Sequence, residues 1–220
     1  MQVPSKQNIA MNISTKHLPF ARSLLALALT ASAALAHAQT YAFHAEIDTA
    51  AFTASPGWLD IQFNPGSLPA VGATVTLSNF SGSFGAAQWL EGDAAGTLAS
   101  GFVLGNTTGY NDLFQAVHLG GKFAFDITFG GAFTSTEGNV GTSFAVGLLS
   151  QDQLSYLGNP DGNLFKIELM PMATTLSPEI LNNSISTVSV AAAVPEPASY
   201  ALLLGGLALL GGLARRRQVR

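Results

Sequence analysis

The stretch KFAFDITFGG, residues 122–131, decides the fold class of this chain. Its odd-numbered residues up to 129 are all apolar and lie on one side of an extended backbone: Phe123, Phe125, Ile127 and Phe129. The even-numbered residues on the other side are Lys122, Ala124, Asp126 and Thr128. This alternation is typical of a β-strand with one buried face and one solvated face.

Similar short segments recur on both sides of this stretch. YAFHAEID, residues 41–48, alternates in the same way, and further candidates are WLDIQF, ATVTLSNF, LASGFVLG, NDLFQAVHL, TSFAVGLLS, NLFKIEL and ISTVSVAAAV. Turn-forming clusters such as NPGS and GNPDGN separate them. Many short strands without helical periods predict an all-β domain over residues 39–190, an antiparallel β-sandwich or jelly roll.

The N-terminal segment has the three parts of a secretory signal peptide. Lys16, His17 and Arg22 precede the apolar run SLLALALTASAALA, and the small-residue box formed by Ala36, His37 and Ala38 lies at its end. The run is shorter than the roughly 20 residues that span a bilayer. Residues 1–38 are therefore predicted to be a signal helix that signal peptidase removes after Ala38, with Met11 as an alternative start.

Charge and cysteine content exclude several classes of function. The chain has 220 residues, 10% of them charged, and no cysteine. Between Gln39 and Val194 there are twelve acidic residues and only two basic ones, Lys122 and Lys166. The net charge of this range is about −10 with histidine neutral. Nucleic acid is an unsuitable partner, because phosphate binding needs clustered Lys and Arg. Disulfides and thiolate-metal sites are excluded by the absence of cysteine.

The C-terminal segment VPEPASYALLLGGLALLGGLARRRQVR, residues 194–220, combines prolines, an apolar run and arginines. Residues 198–214 carry no charge, and as a helix they would be about 25 Å long. They predict a transmembrane helix, and the arginines that follow it are expected on the cytoplasmic side. A plain C-terminal anchor is one interpretation. The two prolines beside Glu196 favour another, because they hold the junction extended, as a processing enzyme would require.

This order of parts resembles the PEP-CTERM sorting signal of Gram-negative bacteria, placed here at residues 191–220. The residues that carry the resemblance are Pro195, Glu196, Pro197, Arg215, Arg216 and Arg217. The resemblance implies an inner-membrane intermediate whose tail is removed by exosortase, a membrane-embedded transpeptidase-like enzyme. The mature protein would then reach the cell surface, the extracellular matrix or the medium, in a species that makes exopolysaccharide and biofilm. Residues 41–66 also resemble the start of an uncharacterised β-domain subfamily of such proteins.

Two kinds of side chain in the β domain suggest glycan chemistry. Trp58 and Trp89 could stack on sugar rings, although tryptophan is more often a core or rim residue. Glycoside hydrolysis needs two carboxyl groups about 5–10 Å apart, and the candidates are Asp60, Glu91, Asp93 and Asp112. Solvated surface charge is the competing interpretation, because net charge keeps a secreted protein soluble.

Metal and catalytic motifs are not evident in the sequence. His44 and Glu46 share a strand face, but a zinc site needs a third ligand at a recognisable spacing. GNPDGN is interpreted as a turn, since the residues after it do not supply calcium ligands. We therefore expect no metal, no cofactor and no enzymatic activity. The sequence favours a structural or adhesive protein of the exopolysaccharide or biofilm, with a carbohydrate-binding module or a glycan-cleaving enzyme as alternatives.

Overall fold

The computed structural model of the protein describes residues 41–191, together with Gly205 and Gly206. Within these residues the fold is all-β. It contains twelve strands, which run in chain order as β1 (Tyr41–Asp48), β2 (Pro56–Pro65), β3 (Ala73–Gly82), β4 (Phe84–Glu91), β5 (Ala94–Thr97), β6 (Gly101–Gly105), β7 (Asp112–His118), β8 (Lys122–Gly131), β9 (Thr142–Ser150), β10 (Asn163–Leu169), β11 (Pro178–Ile180) and β12 (Ser186–Val190). One turn of 3-10 helix, Ala132–Thr134, follows β8.

The strands form two antiparallel sheets of six strands each. The first sheet has the order β12-β1-β8-β3-β6-β5, and the second has the order β11-β10-β9-β2-β7-β4. Strands that follow one another in the chain, such as β1 and β2 or β2 and β3, belong to opposite sheets. Most neighbours within a sheet are therefore distant in the sequence.

The stretch at residues 122–131 is β8, which confirms the strand predicted from its alternation. β8 pairs with β1 on one side, where Phe125 lies opposite Ala45, and with β3 on the other, where Ile127 lies opposite Leu77. Its phenylalanines are buried and its Lys122 and Thr128 are exposed. A strand inside the sheet has no free hydrogen-bonding edge, so its register is set on both sides.

Aromatic side chains from the two sheets meet in a shared core. The ring of Phe129 on β8 lies 6.2 Å from that of Phe63 on β2 and 5.5 Å from that of Phe144 on β9, measured between ring centroids. These separations are typical of favourable aromatic contacts. The finer prediction of a sandwich or jelly roll stays a prediction.

Some predicted strands differ from the observed ones. LASGFVLG was predicted as one strand, but residues 98–100 form a turn and the strand β6 begins only at Gly101. The backbone of Gly101 has a φ of +82°, a conformation that glycine adopts without steric cost. The strands β4, β5 and β11 were not predicted, because their sequences lack a clear alternation of large apolar and polar residues.

The predicted signal helix over residues 1–38 lies outside the described residues. The predicted transmembrane helix over residues 198–214 also lies outside them, except for Gly205 and Gly206, which are helical. In the part of the chain that the structure describes, no helix has the length and apolar character of a membrane span.

Candidate functional site

The two tryptophans lie on the same face of the second sheet. Trp58 on β2 is opposite Ala116 of β7, and Trp89 on β4 is opposite Phe114 of the same strand. Ala116 and Phe114 are two residues apart, so their side chains point to the same side. This is the face turned away from the core, since the intervening Leu59 and Ile61 belong to the core. We call it the outer face.

Only one of the two tryptophans is freely accessible. Trp89 lies on the edge strand β4 and its side chain is 68% exposed. Trp58 is half-buried, and its Nε1 donates a hydrogen bond to the carbonyl oxygen of Gln151 over 3.2 Å. With β7 between them, their Cα atoms are about 12 Å apart, from the usual strand spacing and rise. Trp89 is thus the better placed of the two to stack on a ligand.

Three of the four predicted carboxylates are brought together on the outer face. Asp60 lies on β2 opposite Phe114, Asp112 lies two residues before Phe114 on β7, and Glu91 lies directly opposite Asp112. Asp93 is not part of this group. Its Oδ2 accepts a hydrogen bond from the hydroxyl of Thr107 over 2.6 Å, so it stabilises the loop after β6.

Asp60 and Asp112 form a buried carboxyl pair. Their exposed fractions are 3% and 0%, and each carboxyl group is within hydrogen-bonding reach of the other. One oxygen of each has a further partner: Gln62 Nε2 donates to Asp60 Oδ2 over 2.9 Å, and the Tyr110 hydroxyl donates to Asp112 Oδ2. The remaining Oδ1 atoms are buried and accept no hydrogen bond from a residue outside the pair.

This burial without a cation favours a proton on the pair at neutral pH. Burial, aided by the neighbouring charge of Asp60, raises the pKa of Asp112 to about 8, against the hydrogen bond from Tyr110. Burial also raises the pKa of Asp60, although the hydrogen bond from Asp112 lowers it. Neither carboxyl group has a cationic partner, since the described lysines pair elsewhere, Lys122 with Glu46 and Asp48 and Lys166 with Glu179.

This geometry does not match that of a glycosidase. Such enzymes hold two carboxyl groups about 5–10 Å apart so that a sugar, and in some cases a water molecule, fits between them. The carboxyl groups of Asp60 and Asp112 lie within hydrogen-bonding reach of each other, and both residues are buried. The raised pKa values of both groups instead favour a proton shared between β2 and β7.

The predicted histidine, His44, lies away from this face, on the first sheet. His44 Nδ1 is 2.6 Å from Asp126 Oδ1 on the neighbouring strand β8, and Asn79 Nδ2 donates to the other oxygen of Asp126 over 2.7 Å. Glu46 accepts a hydrogen bond from Lys122 rather than lying beside His44 as a ligand. Among residues 41–191, no three histidine or acidic side chains are arranged to hold a metal ion.

Two residues of the carboxyl pair's surroundings were missed in the sequence. Gln62 and Tyr110 each lie two positions from an aspartate, in DIQ and YND, which puts them on the same side of an extended chain. That spacing is the only signal available for them, and it is common in strands. The two aspartates are about fifty residues apart in the sequence. The pairing of β2 with β7 brings Asp60 and Gln62 together with Tyr110 and Asp112.

The predicted processing residues lie outside the described part of the chain. They are Ala36, Ala38, Pro195, Glu196, Pro197, Arg215, Arg216 and Arg217. The comparison with protein families concerns the C-terminal residues of this list, from Pro195 to Arg217. Residues 193–218 match the family model of the PEP-CTERM protein-sorting motif. No curated protein and no solved structure shows significant similarity to the chain.

Proposed function

Because the chain carries a PEP-CTERM protein-sorting motif at residues 193–218, we propose that exosortase cuts the exported precursor near Pro195–Pro197. The released β domain, packed as a sandwich, serves a structural or adhesive role in the exopolysaccharide at the cell surface, without enzymatic activity. The sorting motif is the single observation that carries this proposal. PEP-CTERM motifs mark exported proteins that pass through the membrane and are processed there.

The β domain suits this role by its composition and its position. Its last strand ends at Val190, and the sorting motif begins three residues later. Removal of the tail would leave every described strand in place. Its excess of acidic residues over lysine keeps such a domain soluble outside the cell.

The test is the intact mass and the terminal peptides of the protein taken from cells, matrix and medium. The expected mature form begins near Gln39 and ends near the Pro-Glu-Pro segment. Glu196→Ala should block tail removal, while Glu137→Ala, in an exposed loop, should leave it unchanged. A mature protein that retains Arg215–Arg217 would overturn the proposal.

A second candidate function is favoured by one observation, the exposure of Trp89. An indole ring that is 68% exposed on an edge strand, with Glu91 two residues away on the same face, offers an apolar plate with a polar group beside it. Aromatic rings in this setting bind the apolar faces of sugars, and a stacking contact contributes about 0.5–1.5 kcal/mol. The alternative is therefore a carbohydrate-binding domain.

Binding of the purified protein to exopolysaccharide and to a glycan array tests this alternative. Trp89→Ala should weaken binding roughly tenfold, in line with the loss of one stacking contact. Val103→Ala is the matched control, because Val103 is also exposed but lies on the first sheet. Equal binding by the two variants and the unchanged protein would exclude Trp89 as a sugar platform.

A further inference from the structure

The two ends of the described chain lie next to each other in the first sheet. β1 begins at Tyr41 and β12 ends at Val190, and these strands are antiparallel neighbours with Phe43 opposite Val190. The pairing continues one residue further, where the Ala191 amide donates to the carbonyl oxygen of Ala42 over 2.9 Å. The sorting motif therefore leaves the domain at the point where the mature chain begins.

The second sheet reaches the same place. The Tyr41 hydroxyl donates to the carbonyl oxygen of Ala173, in the segment after β10. Asn106 joins the sheets beside it: its Oδ1 accepts from the amide of Ala73 over 2.9 Å, and its Nδ2 donates to Thr142 Oγ1 over 2.8 Å. We call this region, formed by the start of β1, the end of β12 and residues 170–173, the tail-side end.

The tail-side end is tethered closely to the processing site. Pro195 is four residues beyond Ala191, a distance of at most about 14 Å in a fully extended chain. The apolar run that begins at Ala198 is seven residues beyond Ala191, at most about 25 Å. An enzyme that cuts near the Pro-Glu-Pro segment thus has to approach this end of the domain rather than any other.

Exposed apolar side chains lie at the tail-side end. Met170 and Met172 are 49% and 50% exposed, and Val190, the last residue of β12, is also exposed. The Met172 amide donates to the carbonyl oxygen of Phe133, so the segment is held against the domain and is not a loose loop. Flexible thioether side chains at a surface adapt well to a protein partner.

Charge favours a protein partner over a lipid surface. Anionic headgroups attract clusters of Lys and Arg. Of the described lysines, Lys122 lies at the start of β8, opposite Asp48 and so at the far end of β1. Lys166 is paired with Glu179 over 3.2 Å. The loop after the 3-10 helix adds Glu137, which is exposed.

We propose that the tail-side end, centred on Met170 and Met172, is the surface that exosortase contacts while it cuts the tail. This inference rests on the proposed function and adds to it the face of the β domain that the enzyme meets. The contact would orient the domain and hold the Pro-Glu-Pro segment in reach of the enzyme.

The test is the rate of tail removal in cells, followed by pulse-chase and intact mass on the full-length precursor. The double variant Met170→Glu/Met172→Glu should slow tail removal at least about fivefold, because carboxylates cannot enter an apolar contact without losing hydration. Leu154→Glu is the matched control. Leu154 is 83% exposed and follows β9 at the opposite end of the domain. The Leu154→Glu variant should therefore lose its tail at the same rate as the unchanged protein.

Two further variants keep the outcome clear. Met170→Gln/Met172→Gln is a milder change. It replaces the Glu variant if the Glu variant unfolds at a lower temperature than the unchanged protein. A flexible six-residue insertion after Ala192 should restore fast processing to the double variant, since a longer tether no longer forces the domain against the enzyme.

Each result has a separate meaning. Equal rates for the double variant and Leu154→Glu would overturn the docking surface while leaving the proposed function intact. No tail removal in the unchanged precursor would instead overturn the proposed function. Loss of binding to phosphatidylglycerol vesicles, with an unchanged processing rate, would show that the surface meets lipid and would also overturn the inference.

Discussion

At the scale of single residues, the buried pair of Asp60 and Asp112 determines how the domain responds to pH. Free aspartate has a pKa of 3.8, and burial raises the pKa of Asp112 to about 8 in the folded protein. The folded state therefore binds a proton more tightly than the unfolded state does. The stabilisation from this group is complete below about pH 4 and is lost as the pH rises toward 8.

The free energy of unfolding should accordingly fall between pH 5 and pH 9, by an amount on the order of a few kcal/mol. Urea unfolding at pH 5, 7 and 9 measures it. Asp112→Asn supplies a neutral group of the same shape that can donate to Asp60, so this variant should lose most of the pH dependence and be the more stable protein at pH 9. Asp161→Asn, in an exposed turn, is the control and should follow the unchanged protein. Parallel pH profiles for Asp112→Asn and the unchanged protein would contradict a shared proton.

At the scale of elements, the ring of Phe129 on β8 contacts aromatic rings of both sheets. Phe129 lies within 6.2 Å, between ring centroids, of Phe43 on its own sheet and of Phe63 and Phe144 on the other. If a side chain that contacts both sheets is removed, movement of one sheet alone cannot fill the space it leaves. Loss of this ring should leave a cavity that stays open.

Phe129→Ala is expected to lower the free energy of unfolding by about 3–5 kcal/mol, the usual cost of deleting a buried aromatic ring. Denaturant unfolding at constant pH measures the change. Trp89→Ala removes a larger but mostly exposed ring, and it should cost less than about 1 kcal/mol. Similar losses for both variants would mean that Phe129 is not part of a close-packed core.

At the scale of the whole molecule, the last strand closes the domain on the first. β12 covers the edge of β1, with Ser186 buried and Val188 packed against the core. All described strands lie between Tyr41 and Val190, so the domain does not need the sorting motif for its fold. The same pairing places both ends of the mature chain at the tail-side end.

A chain of residues 39–191 should therefore unfold within about 3 °C of the full-length protein, whereas residues 39–185 should lose roughly 10 °C or more. The shorter chain lacks β12 and exposes the β1 edge, a loss of several kcal/mol in a domain where 1 kcal/mol is about 2–4 °C. Thermal unfolding followed by tryptophan fluorescence compares them. A stable fragment 39–185 would show that β12 is an appendage rather than part of the fold.

The sequence by itself determined the properties that depend on neighbouring residues. Period-two alternation in residues 122–131 was enough to predict β8, because the side a side chain takes depends only on its position along the strand. The order of Pro-Glu-Pro, apolar run and arginines was enough to predict the sorting motif, because a processing enzyme meets that segment as a linear sequence. Residues 193–218 match that motif.

Only the tertiary structure decided which strands are neighbours. Alternation tells which face of a strand is buried, but it does not identify the partner strand, since many apolar faces fit one another. The contact of Asp60 with Asp112 depends on the pairing of β2 with β7, and the contact of His44 with Asp126 on that of β1 with β8. Side chains about fifty residues away determine whether an aspartate is a solvated surface charge or half of a buried pair. It is burial, and not the residue type, that raises the pKa of the carboxyl group.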